Sequence, residues 1–136
     1  MTDKKLNLKI ITPEKVLLDE QVDAVYSRAV DGEFAILPGH ISFMTALDIG
    51  VTKFVKDDKP EFVSTIGGIF QVVKNNIVVL SDSAELGSEI DVPRAKAAKE
   101  RAEARLRTAA VDIDITRAQT ALHKALARIE AASKKY

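Results

Sequence analysis

No glycine occurs beyond Gly87 in this 136-residue chain, although six lie at or before it, and that break limits what each part can become. Between Val92 and Ala132, Pro93 is the only proline, and thirteen alanines stand there against five in the first 87 residues. Frequent turn residues in the front suit short strands. An alanine-rich back without glycine suits long helices. The expected organisation is an all-β sandwich over residues 1–87 followed by an α-helical antiparallel hairpin over 88–136.

Within the front part, Leu6, Leu8 and Ile10 alternate with polar residues, the period of a half-buried strand. Further strands are expected near Val16–Asp19, over Val22–Val30 as one longer strand, and at Phe34–Leu37. Others are expected around Ile49–Val55, at Glu61–Ile66, at Ile69–Lys74 and at Ile77–Ser81. Asp31-Gly32-Glu33, Pro38-Gly39-His40, Asp57-Asp58-Lys59-Pro60, Gly67-Gly68 and Lys74-Asn75-Asn76 separate them. No segment offers the long helical crossover that a parallel sheet requires, so an antiparallel sandwich over residues 1–84 is expected.

In the back part, Asp91 is placed to cap a helix with Pro93 in its first turn, where a missing N–H does no harm. This helix is expected from Val92 to about Ala109, with Ala95, Ala98, Ala102, Leu106 and Ala109 as its apolar stripe. Val111-Asp112-Ile113-Asp114 interrupts the pattern. A second helix then runs to about Ala132 with Ile115, Ala118, Leu122, Ala125, Leu126 and Ile129 on one face. Two such helices joined by a short link fold back as a hairpin or straighten apart. Burying an alanine methyl is worth about 0.8 kcal/mol, against roughly 1.5–3 kcal/mol for a Leu or Ile side chain. The helices are therefore strong in themselves and weakly anchored, a combination suited to movement without melting.

The formal net charge of zero conceals an asymmetry. Residues 1–87 carry 9 cations and 13 anions, whereas residues 88–136 carry 11 cations and 7 anions. A basic tail is either a solvated helix face or the complement of something acidic: a phosphate ligand, an acidic protein surface, or the front domain itself. Arg94, Arg101 and Arg105 fall within about 40° on the first helix, at 100° per residue. Arg117, Lys124 and Arg128 form a similar stripe on the second. Folding about residues 112–113 brings Arg101 level with Lys124 and Arg94 level with Arg128 within a turn. If both stripes lie on the same side of the hairpin, four cations converge and repel one another unless an anion such as a polyphosphate turns the repulsion into charge-assisted hydrogen bonds.

Other chemistries find little support. Cysteine is absent, which removes disulfides and thiolates, and His40 and His123 are the only histidines. There is no phosphate-loop or dinucleotide motif and no His/Asp/Glu spacing for a metal. Few aromatics argue against stacking on single-stranded nucleic acid. No apolar run approaches the roughly 20 residues that span a bilayer, and the first residues lack a signal-peptide core. A soluble intracellular chain without catalysis of its own is expected. One reading of the residues is a subunit with an anion-sensitive hairpin. The other is a free-standing module whose basic helices hold an acidic protein or nucleic acid.

Several segments resemble the epsilon subunit of bacterial F-type ATP synthase, in order along the chain. Asp31-Gly32-Glu33-Phe34-Ala35-Ile36-Leu37-Pro38-Gly39-His40 resembles its Gly-Glu-x-Gly-Ile-x-Pro-Gly-His segment, with Phe34-Ala35 in place of an aliphatic-glycine pair. Ile66-Gly67-Gly68-Ile69-Phe70-Gln71-Val72 is similar to its Gly-Gly-Phe-x-Glu-Val strand, and Ile90-Asp91-Val92-Pro93-Arg94-Ala95 to its Ile/Leu-Asp-x-x-Arg-Ala nucleotide motif. Ile10-Ile11-Thr12-Pro13-Glu14 fits as well.

The resemblance implies a non-catalytic regulatory subunit of a proton- or sodium-translocating ATP synthase. Such a subunit is peripheral to the cytoplasmic face of the cell membrane, with no membrane insertion and no nucleic acid. It implies gamma and the c ring as partners, and the alpha/beta catalytic hexamer when the hairpin extends to block ATP hydrolysis. Asp31, Glu33, Pro38 and His40 match the loop that meets the c ring. ATP as a regulatory ligand, with Mg2+ a possible companion, would be held by Glu85, Ile90, Asp91, Arg94, Ala95, Arg101, Lys124 and Arg128. Lys124 stands where ATP-binding relatives tend to have arginine, and Pro93 replaces an ordinary residue inside the motif.

Overall fold

A computed structural model describes residues 5–108 and 112–133. Ten strands form two five-stranded sheets packed face to face. They are β1 (Leu6–Ile11), β2 (Val16–Val22), β3 (Ala24–Ala29), β4 (Gly32–Ile36), β5 (Phe43–Ala46), β6 (Ile49–Lys56), β7 (Lys59–Ile66), β8 (Ile69–Val73), β9 (Asn76–Leu80) and β10 (Ser83–Leu86). The first sheet runs β2-β1-β9-β8-β5 and the second β10-β7-β6-β3-β4. A 3₁₀ turn, Gly87–Glu89, leads to α1 (Val92–Thr108) and α2 (Asp112–Ser133). The chain is thus an all-β sandwich followed by a helical hairpin, as the residue pattern implies.

Alternation along the strands fills the space between the sheets. Leu6, Leu8 and Ile10 of β1 are fully buried there, with Val25, Ile36, Phe54, Val63, Phe70, Val72, Ile77 and Val79. On the inner face of the second sheet, the hydroxyls of Ser27 and Thr52 lie 2.7 Å apart, and those of Thr52 and Thr65 lie 3.3 Å apart. These three buried residues satisfy one another.

Three strand expectations need correction. The single strand over Val22–Val30 breaks at Asp23, whose carboxylate pairs with Lys5 and accepts the Asp57 N–H at 2.9 Å. That break lets the chain leave one sheet and enter the other. Second, β5 and β10 were not anticipated; both are four-residue strands paired along one edge only, in segments lacking a clean apolar alternation. Third, the sandwich is not wholly antiparallel, because β1 pairs with β9 in parallel. Most of the sandwich lies between these two strands and serves as their crossover, so no helix is needed.

Two hairpins close through two-residue turns with positive φ, Asp57-Asp58 at 53° and 65° and Lys74-Asn75 at 48° and 66°. Their twist matches that of the strands they join. Asp112 and Asp114, expected to interrupt the helices, belong to the first turn of α2. Residues 109–111, among them the expected stripe residue Ala109 and Val111, lie outside the described residues.

Candidate functional site: the hairpin against the sandwich

The outer face of the second sheet is where the two parts of the chain meet. Helix α2 lies over β6 and β7 and reaches the 3₁₀ turn, while α1 packs chiefly on α2. Phe62 of β7, Ile90, Ala95 of α1 and Ala131 of α2 form a separate buried cluster, with Val51, Ile129 and Ala132 against it. The approach is close enough that a Cβ on Gly87 would collide with the Ala131 carbonyl oxygen. Glycine is required there for packing alone, since its backbone is unstrained.

Serving two neighbours changes which α2 residues are buried. Ala118 and Ala125 are buried as expected, and Ile115, Leu122 and Ile129 are half-buried. Leu126, assigned to the apolar stripe, is 42% exposed, while Ala127 and Ala131 are buried instead. A single amphipathic stripe describes a helix with one partner, whereas α2 has α1 on one side and the sheet on another. On α1, Ala95 and Ala102 are buried.

Most of the residues matched to the ATP motif fall around this junction. Asp91 caps α1, its Oδ1 accepting the Arg94 N–H at 3.1 Å, and its carbonyl receives the Ala95 N–H at 3.0 Å. Ile90 and Ala95 are buried in the junction cluster. Glu85 on β10 meets Arg128 of α2, with Arg128 Nε donating to Glu85 Oε1 at 2.6 Å. Arg94 and Arg101 are exposed on α1 and Lys124 is half-buried on α2. None of these three has an acidic group within ion-pairing distance among the described residues. Cations without acidic partners, Arg94 among them in the first turn of α1, are chemically suited to an anion. No group of three His, Asp or Glu side chains is placed to hold a metal among the described residues.

A cavity of about 830 Å3 lies on the far side of α2, between that helix and β3, β4 and β6. Tyr26, Lys53, Glu33 and Leu126 line it, and none of the residues matched to the ATP motif does.

The residues matched to the c-ring loop do not form one loop, because β4 runs between them and places the two pairs at its opposite ends. Asp31 and Glu33 are exposed at the β3–β4 hairpin, and Pro38 and His40 are half-buried between β4 and β5. Sequence reasoning missed the exposed apolar side chains around them: Val30, Leu37, Ile41 and Met44 are 54–78% exposed. It also missed the supports. Phe34 packs edge to face on Phe70 with ring centroids 4.8 Å apart and tilted on Phe43 at 5.3 Å, and His40 lies 5.8 Å from Phe43. Phe34, the departure noted in the motif, thus fills an aromatic cluster at the root of the β4–β5 loop.

Residues 5–87 match the family described as "ATP synthase, Delta/Epsilon chain, beta-sandwich domain", and residues 88–133 match "ATP synthase, Delta/Epsilon chain, long alpha-helix domain". The chain belongs to the ATP synthase delta/epsilon family. Among its relatives, the ATP synthase epsilon chain of Lawsonia intracellularis is 46% identical over 110 residues, covering 81% of this chain and 83% of that one. The epsilon chain of Nitratidesulfovibrio vulgaris strain DP4 is 45% identical over 104 residues, 76% of this chain and 78% of the relative. A chain in the Euglena gracilis mitochondrial ATP synthase OSCP/F1/c-ring structure shares the fold, with a TM-score of 0.82 at 22% identity, over 96% of this chain and 82% of that one. Membership gives the junction its interest, because the delta/epsilon family joins these two parts in one chain.

Proposed function

We propose that this epsilon-family chain works as a non-catalytic rotor-stalk subunit of an F-type ATP synthase. It binds gamma and the c ring through the sandwich and regulates ATP hydrolysis through its hairpin. Folded on the sandwich, α1 and α2 leave the motor free to turn. Extended, they enter the alpha/beta hexamer, where their cations meet acidic surface. The observation that carries this reading is the junction itself. An alanine-rich hairpin is docked on a sandwich whose own core is complete without it, and the half-exposed Glu85–Arg128 pair bridges the two parts.

ATP, alone or with Mg2+, stabilises the folded hairpin by bridging Arg94 and Arg101 of α1 to Lys124 and Arg128 of α2, near the capped start of α1. Glu85, Ile90, Asp91 and Ala95 shape the rest of the site. The segment that carries Asp31, Glu33, Pro38 and His40 faces the c ring, the exposed apolar side chains along it supplying contact area. The chain then sits as a peripheral component at the cytoplasmic face of a proton- or sodium-translocating membrane complex. No helix among the described residues is long and apolar enough to cross a membrane. The test is small-angle scattering of the full chain with and without ATP. A smaller radius of gyration with ATP is expected; identical dimensions at millimolar ATP, with no heat on titration, would end the nucleotide reading.

A further inference from the structure

Ser64 Oγ is the one buried side-chain polar atom without a hydrogen-bond partner among the described residues, and the residue is only 1% exposed. Its position explains why. Ser64 stands on β7 opposite Val51 of β6 and opposite Glu85 of β10. Cross-strand partners share a face, as do residues two apart on one strand, so Ser64, Val51, Glu85 and Phe62 all belong to the outer face. Val51 and Phe62 pack in the junction cluster with Ile129 and Ala131 of α2. The neighbouring hydroxyls of Thr52 and Thr65 bond within the inner face and point away from Ser64. The element that covers Ser64 is therefore the hairpin.

A hydroxyl that loses water on docking and gains no partner opposes docking, and it recovers its hydration when the helix leaves. We propose that Ser64 is a built-in bias toward release, setting the docked hairpin close enough to balance for a modest anion to decide its position. The proposal rests on the reading that the hairpin leaves the sandwich. Ser64 acts on the equilibrium between the two states and does not touch the ligand.

Hydrogen exchange on the full chain without nucleotide tests it, comparing α2 amides with those of β8 and β9 in the same molecule. In the parent, α2 should exchange faster than the sandwich interior; equal rates would sink the release reading itself. Ser64→Ala removes the unsatisfied group and should slow α2 exchange about tenfold while leaving β8 and β9 nearly unchanged. Unchanged or faster α2 exchange in that variant would overturn the role of Ser64 and leave the release reading standing. Gly87→Ala, whose new methyl would meet the Ala131 carbonyl, should move the helix the other way and speed its exchange. A Gly87→Ala helix protected like the parent's would contradict the tight contact on which the burial of Ser64 depends.

Discussion

The side-chain oxygen of Asn75 accepts the backbone N–H of Gly39 at 2.7 Å, tying the loop between β4 and β5 to the β8–β9 turn. Asn75 also holds β1 through its carbonyl, which receives the Asn7 N–H at 2.8 Å. Because its φ is +66°, glycine can take its place without strain while removing the side chain. Asn75→Gly should therefore keep the turn and lose the tether, worth about 1 kcal/mol. The Gly39 amide should then exchange several-fold faster by NMR. Asn75→Asp retains an acceptor and should restore most of the protection. If the loop faces the c ring as proposed, Asn75→Gly should also lower ATP-driven ion pumping more than ATP hydrolysis.

Arg94→Ala or Arg101→Ala should weaken ATP binding tenfold or more, measured by isothermal titration. Both side chains are exposed and make no ion pair among the described residues, so their loss should leave thermal stability nearly unchanged. A variant that binds ATP as tightly as the parent would remove its residue from the site.

The Glu85–Arg128 pair is partly open to solvent, with side chains 41% and 30% exposed. Screening limits such a pair to about 1 kcal/mol or less. A double-mutant cycle with Glu85→Gln and Arg128→Ala, read by exchange of α2 amides, should return a coupling in that range. A coupling several-fold larger would mean that the pair, and not the alanine seam, anchors the hairpin.

Deleting residues 88–136 should leave a folded sandwich, because every buried residue of the main core lies between Leu6 and Ala84. The truncated chain should unfold cooperatively by circular dichroism and assemble into an enzyme with faster ATP hydrolysis. An unfolded truncation would show that the hairpin is structural.

Lys5, hydrogen-bonded to Asp23, holds that carboxyl below the ordinary carboxylate range, and the Asp57 N–H acts in the same direction. A lowered folded-state pKa adds stability that is complete above the unfolded value and is lost as the pH falls through the folded one. The melting temperature of Asp23→Asn should thus trail the parent's most at neutral pH. The gap should close in strong acid. The effect should be small, since the group lies at the surface.

Much of the fold was legible because alternation and turn chemistry are local. Leu6, Leu8 and Ile10 announce a strand, Asp91 announces a helix start, and both do what they announce. The motif residues could likewise be listed from order along the chain, since a resemblance needs no coordinates. Asn75 was read as a turn residue, but nothing local says that its side chain reaches across to Gly39. Ser64 carried no signal at all, because a serine in a strand is ordinary until something covers it.

The sequence by itself determined that strands would precede helices and that the helices would carry cations beside a thin alanine seam, since propensity and periodicity are properties of neighbours along the chain. Only the tertiary structure decided that β1 lies parallel to β9, that α2 buries Ala127 and Ala131 in preference to Leu126, and that Glu85 meets Arg128. Each of these depends on which surfaces distant segments present to one another, and burial is a property of the pair that meets.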